Sequence, residues 1–189
     1  MKLNRYMVFD VESVGLHGEA FAVAWVVGRI EGKVFIRASE GFVWCQPAGL
    51  RGNATSHEWV REHCNTDEWG DWKEATEVLS PRDLRSAFWY QWQVEKTSGT
   101  RLVADCPWPV EARFLAACVD EDHISREWGG PYPLIDVETV RFAAGLDLDV
   151  VSRRYFDLGE LPEHNPIADA RQSARLLAEA LALCDEVER

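Results

Sequence analysis

The sequence predicts an α/β domain built on a mixed sheet, a three-strand antiparallel meander followed by parallel strands, with helices on both faces. Three observations predict it. Apolar, β-branched runs with tight links fill the first 44 positions; strands ending on acids then alternate with helical stretches; and a long amphipathic helix closes the chain.

The first strand, Tyr6-Met7-Val8-Phe9, runs into Asp10-Val11-Glu12 and turns at Ser13-Val14-Gly15-Leu16. Side chains alternate along a strand, so Asp10 and Glu12 share one side of the sheet. Two acids at the end of a buried strand repel each other and are costly to desolvate, and a divalent cation relieves both costs. An edge strand entering a polar turn is the plainer alternative. Ala20 to Ile30 forms the second strand, Glu31-Gly32 a turn, and Lys33 to Trp44 the third.

From Pro47 to about Thr100 strand character is low, and a mainly helical insertion is expected. Within it, Ser80-Pro81-Arg82-Asp83 starts a helix: Ser80 caps, Pro81 takes the first helical position and Asp83 follows in the first turn. That helix runs through Leu84, Phe88, Trp92 and Val94 to about Lys96 and ends at Ser98-Gly99. One or two shorter helices are expected between Ser56 and Leu79. Arg101 to Asp105 is a short strand, and Pro109 to Cys118 a helix. Pro133 to Asp136 repeats the strand, and the helix Val137 to Ala144 stops at Gly145. Asn165-Pro166 caps a final helix from Pro166 to about Val187, with Ile167, Ala170, Ala174, Leu177, Leu181 and Cys184 along one stripe. No repeat or linker interrupts the chain, so residues 1–189 are expected to form a single domain.

At 189 residues the chain can bury a core without staples. Its formal charge of −12 argues against a protein that coats long duplexes, which would carry a basic face. The acidic tracts Asp67 to Glu77 and Asp185 to Glu188 read as solvated faces. Five scattered cysteines without Cys-x-x-Cys spacing argue against a disulfide framework or a zinc ribbon and favour a reducing interior. With no apolar run of membrane length and no leader before the first strand, a cytoplasmic protein is expected.

Strands end on acids at Asp10/Glu12, Asp105 and Asp136, and the last helix carries Asp169 near its start. Sites in α/β sheets form beyond strand ends, where that helix start can bring Asp169 to the strand pair. His164 stands five positions earlier, in the loop. Asp136, followed by Val137-Glu138-Thr139, reads as a helix cap rather than a ligand. His17, His57, His63 and His123 show no partner pattern. Of nine tryptophans (25, 44, 59, 69, 72, 89, 92, 108 and 128), Trp25 is expected in the core, and Trp108 is the one expected to touch a substrate. Arg113, Arg153, Arg154 and Arg171 lie near these segments and can meet phosphates or form surface ion pairs.

Asp10-Val11-Glu12-Ser13-Val14-Gly15-Leu16 resembles the first motif, Asp-x-Glu-Thr-x-Gly-Leu, of the DEDD 3′–5′ exonucleases of the ribonuclease H-like fold. His164-Asn165-Pro166-Ile167-Ala168-Asp169 is similar to the third motif, His-x-x-x-x-Asp, of the branch with a catalytic histidine. The second motif departs: where the family places an Asp in the first turn of a helix, this chain offers Asp105 at a strand end or Glu111 before Arg113-Phe114-Leu115, and the two stay open.

The resemblance implies a two-metal phosphodiesterase using Mg²⁺ or Mn²⁺. It implies that Asp10 bridges the ions and that Glu12 and Asp169 hold the one carrying the nucleophilic water. Asp105 or Glu111 would serve the second ion, and His164 would act as general base. It further implies that Ser13, Gly15 and Leu16 meet the terminal nucleotide, with Leu16 wedged at the last base. The expected partner is the 3′ end of single-stranded RNA or DNA, RNA slightly favoured, and the expected product a 5′-mononucleotide. A homodimer is expected by the same analogy. The competing expectations are a non-catalytic ribonuclease H-like module that binds nucleic acid or protein, and a phosphatase of small nucleotides.

Overall fold

The computed structural model describes residues 4–64, 66–69, 75–146 and 164–187. Trp72, Arg153 and Arg154, part of the acidic run around residues 67–77, and Glu188 lie outside them.

Six strands form one mixed sheet. β1 (Arg5–Ser13), β2 (Ala20–Glu31) and β3 (Val34–Trp44) make the expected antiparallel meander. β5 (Arg101–Ala104) adds parallel to β1, and β6 (Ile135–Asp136) parallel to β5. A strand absent from the sequence reading, β4 (Ala75–Glu77), lies parallel to β3, giving the order β4-β3-β2-β1-β5-β6. Its Thr76 and Glu77 side chains are exposed. Three residues without an apolar face carry no strand signal, and the backbone ladder to Phe42–Trp44 alone makes them a strand.

Helices cover both faces, consistent with a ribonuclease H-like arrangement. α1 (Ala54–His63) and α2 (Thr66–Trp69) fill the segment where short helices were expected. α3 (Pro81–Thr97) starts as its sequence predicts, with Ser80 Oγ accepting from the Asp83 amide and Pro81 in the first turn. Gly99 follows at φ +74, where a side chain would be strained. α4 (Val110–Asp120), the single turn α5 (His123–Arg126) and α6 (Val137–Ala143) alternate with the parallel strands. α7 (Pro166–Val187) closes the chain, with Asn165 Oδ1 accepting from the Ile167 amide.

β1 is central and nearly wholly apolar inside: Met7, Val8, Phe9 and Val11 are buried. Its alternation sorts the two layers. Phe9 points to the α3/α4 side, its ring 5.0 Å from Phe88, which lies 6.1 Å from Trp25 and 5.1 Å from Phe114. Asp10 and Glu12 point the other way, toward α7. Their cross-strand partners Ala24 and Ala22 are small and buried, which leaves room for α7 to pack on this face. Ile167, Ala170, Ala174 and Leu177 of the expected stripe are buried against it, and Leu181 packs partly on the core. Among the described residues no helix is long and apolar enough to cross a membrane.

Candidate active site

The acids meet at one rim of the sheet. Each of Asp10, Glu12 and Asp169 offers a carboxylate oxygen, and the three oxygens lie within 4.8 Å of one another. β1 places the first two by its alternation, and its register shift between Glu12 and Ser13 ends the ladder just beyond them. The Asn165 cap fixes where α7 begins, so Asp169 sits in its first turn and faces the strand pair. Anions at a helix N-terminus are favoured by the backbone dipole, which offsets part of the mutual repulsion.

His164 stands beside them, its Nδ1 3.9 Å from Glu12 Oε1, on a backbone at φ +60. Its ring meets Trp59 edge to face at 4.7 Å. Neither Trp59 nor His63, stacked on it at 4.6 Å, stood out in the sequence. His63, taken there as a histidine without a partner, is bonded through Nδ1 to the Trp59 carbonyl at 2.9 Å. The only available signal was the i,i+4 aromatic spacing on one helix, which names no third partner.

Both candidates for the second acid line the same cleft. Glu111 is buried, with Oε1 accepting from the Val11 amide at 3.3 Å, so it is pinned to the strand between Asp10 and Glu12. Asp105 follows β5; Ser173 Oγ approaches its Oδ2 at 3.5 Å and its Oδ1 is buried without a partner. The electrostatics separate them. Glu111 raises the carboxyl pKa of both Asp10 and Glu12, whereas Asp105 acts on Asp10 only, and least of its four acidic neighbours.

Asp10, Glu12, Asp105 and Glu111 are each held protonated more readily than a free carboxyl. Burial is the main cause for Asp10, followed by Asp169, Glu111, Glu12 and Asp105; for Glu12 it is burial, then Asp169 and Glu111. Burial pushes Glu111 up to about 7 against its amide hydrogen bonds. Burial, Glu138 and Asp136 push Asp105 up to about 6 against Arg141 and Ser173.

The cleft has a volume of about 920 Å³, and among the described residues no lysine or arginine lines it. The turn after β1 forms one lip. Ser13 Oγ donates to the Gly15 carbonyl at 2.9 Å, and Gly15 has φ +72. A Cβ on Gly15 would meet Ser56 Oγ at 2.4 Å, so glycine lets the turn close against α1. Leu16 is 64% exposed on that lip and Trp108 76% exposed on another wall. Both present large apolar surface to the cleft, as expected for side chains that meet a planar base.

Asp136 and Trp25 take the places expected of them, and Arg171 takes one of its two. Asp136 caps α6, accepting from the Glu138 amide at 3.2 Å and Thr139 Oγ1 at 2.5 Å. Trp25 is in the core. Arg171 takes the ion-pair alternative: its Nε and a terminal nitrogen donate to Glu40 at 3.0 and 2.7 Å. Arg113 is exposed and donates to the His17 carbonyl at 3.4 Å, beside a second, smaller groove.

Three carboxylates this close form a set of hard oxygen donors. Such a set suits Mg²⁺ or Mn²⁺ better than a soft metal. A cation there would offset the repulsion that, after burial, raises the pKa values of Asp10 and Glu12. No family model matches the chain, and no curated protein matches it.

Proposed function

We propose that this protein is a Mg²⁺- or Mn²⁺-dependent 3′–5′ exonuclease of single-stranded or short nucleic acid, RNA slightly favoured over DNA, releasing 5′-mononucleotides. The observation that carries the reading is the convergence of Asp10, Glu12 and Asp169, from opposite ends of the chain, within 4.8 Å beside His164. The resemblance of the Asp10–Leu16 and His164–Asp169 segments to the DEDD exonucleases supports it from the sequence side.

Asp10, Glu12 and Asp169 would hold one ion and share Asp10 with a second. Glu111 is the better placed acid for the second, since its charge reaches both strand carboxylates. The ions supply Lewis-acid polarisation of the scissile phosphate and a more acidic water. The chain's own residues do the rest. His164 takes the proton of the attacking water, a role worth about 10²–10⁴ in rate. Leu16 and Trp108 present apolar faces to terminal bases, and stacking of that kind is worth roughly 1–3 kcal/mol per base. With no lysine or arginine among the described lining residues, phosphate binding there would depend on the ions, which matches a grip on few nucleotides better than on a long duplex.

End-labelled RNA and DNA oligonucleotides incubated with Mg²⁺ or Mn²⁺, wild type beside Asp169→Ala, test this. A ladder shortening from the 3′ end with wild type alone supports it. Oligonucleotides left intact under every condition overturn it.

A further inference from the structure

His164 holds a backbone conformation, φ +60, that residues with a side chain enter at a cost and keep only where their surroundings fix them. Two rings from α1 surround its imidazole: Trp59 at 4.7 Å and 76°, and His63 at 6.1 Å and 86°, both nearly perpendicular to it. Trp59 and His63 lie parallel, 4.6 Å apart at 10°, four residues apart and so on one face of the helix. His63 Nδ1 is 2.9 Å from the Trp59 carbonyl. A carbonyl only accepts, so that nitrogen carries the proton and the His63 ring is clamped beneath the indole. Toward the cluster, His164 Nδ1 stands 3.9 Å from Glu12 Oε1, beyond hydrogen-bond length. At that distance Glu12 does not fix the plane of the ring through a hydrogen bond. An edge-to-face aromatic contact does have a preferred angle.

We propose that Trp59, backed by His63, is the positioning residue for His164, setting the plane of the imidazole beside the carboxylate cluster so that a ring nitrogen faces the attacking water. The assignment rests on the exonuclease reading. It gives the segment between β3 and α3 a part in the chemistry, since α1 belongs to it. Trp59 also lines the cleft, where an indole can stack directly on a nucleobase, and the experiment separates the two roles.

The first measurement needs no activity. In cation-free protein the histidine ring Cε1–H resonances are recorded, with His164 identified by its loss in His164→Ala. Trp59→Leu is expected to shift the His164 resonance, and Trp59→Phe to shift it less. A His164 resonance unmoved by Trp59→Leu overturns the proposal, whether or not the protein cuts nucleic acid. The second uses an RNA oligonucleotide with Mn²⁺. Trp59→Leu is expected to lower kcat roughly 10- to 100-fold with KM within about twofold, and Trp59→Phe to recover activity to within about threefold. On a His164→Ala background Trp59→Leu should cost nothing more. A rise in KM at constant kcat, or an equal loss on the His164→Ala background, overturns it and assigns Trp59 to the substrate directly. If wild type leaves the oligonucleotide intact, the role falls with the exonuclease reading, while the resonance alone still decides whether Trp59 packs on the ring.

Discussion

Phe9 and Asp10 are neighbours on one strand and face opposite worlds. On the Phe9 side, Phe88, Trp25 and Phe114 pack ring against ring, and the charges around that layer are matched. Arg85 joins Glu19 and Glu121 at 2.6 Å each, and Arg5 grips the buried Glu95 through two nitrogens at 3.0 and 3.2 Å. On the Asp10 side, carboxylates gather in a cleft without a single lysine or arginine among the described lining residues. The chain pairs its acids on one face, and on the other it gathers Asp10, Glu12 and Asp169 within 4.8 Å of one another. Charge that serves folding is neutralised by protein; charge gathered in a cleft with raised pKa values is a pattern that functional sites share.

The contrast breaks first at the aromatic layer. Phe88 is fully buried among three rings, so Phe88→Ala should cost about 3–5 kcal/mol of stability, read from the urea midpoint at an unchanged slope. The acidic face should respond to cations instead. Mn²⁺ at a hundredfold excess over its Kd should add about 2.7 kcal/mol to wild type, measured by melting at pH 8, and nothing to Asp169→Ala. Without cations the pH dependence has a definite sign. Glu111, at about 7, and Asp105, at about 6, keep protons in the folded state that the unfolded chain has already lost. Between about pH 4.5 and 7 the native state binds more protons, so these groups make stability fall as pH rises. Glu40 is held low: burial would raise it, but Arg171 and then Arg37 outweigh that, so it is ionised in both states across this window and adds no slope. A melting temperature that rose from pH 5 to 7 in cation-free protein would contradict the electrostatic picture of the cleft.

A smaller effect carries the opposite sign. Asp10→Asn removes one of the mutually repelling charges and should raise cation-free stability by about 0.5–2 kcal/mol while abolishing cleavage. Smallest for the fold is Trp108→Ala, expected within about 0.5 kcal/mol of wild type by urea titration. Its cost should appear in substrate affinity, at roughly 1–3 kcal/mol.

Much of this was legible in the residues. The meander, the Ser80-Pro81 helix start and the final helix follow from local rules, and the structure adopts them nearly to the residue. Asp10 and Glu12 shared a face by strand alternation, and Asp169 could reach them because a helix start lay over the strand ends. What was hidden depended on distant partners. β4 exists only through its ladder to β3. Arg171 could meet a phosphate or pair at the surface, and only the fold that brings Glu40 to it decides. The place of Glu111 depends on how closely α4 approaches β1, which the amide of Val11 records and no spacing encodes. Trp59 and His63 gained meaning from a histidine a hundred positions downstream.

The cluster draws its carboxylates from β1 and from the start of α7, the first and last regular elements described. A polypeptide still on the ribosome therefore has the sheet long before it has the site. Until Asp169 clears the exit tunnel, Asp10 and Glu12 have no third oxygen donor from that helix. On the proposed exonuclease reading, the enzyme would thus emerge beside messenger and ribosomal RNA with its cutting edge unassembled. Contacts so far apart along the chain are also slow to close, which delays the moment further.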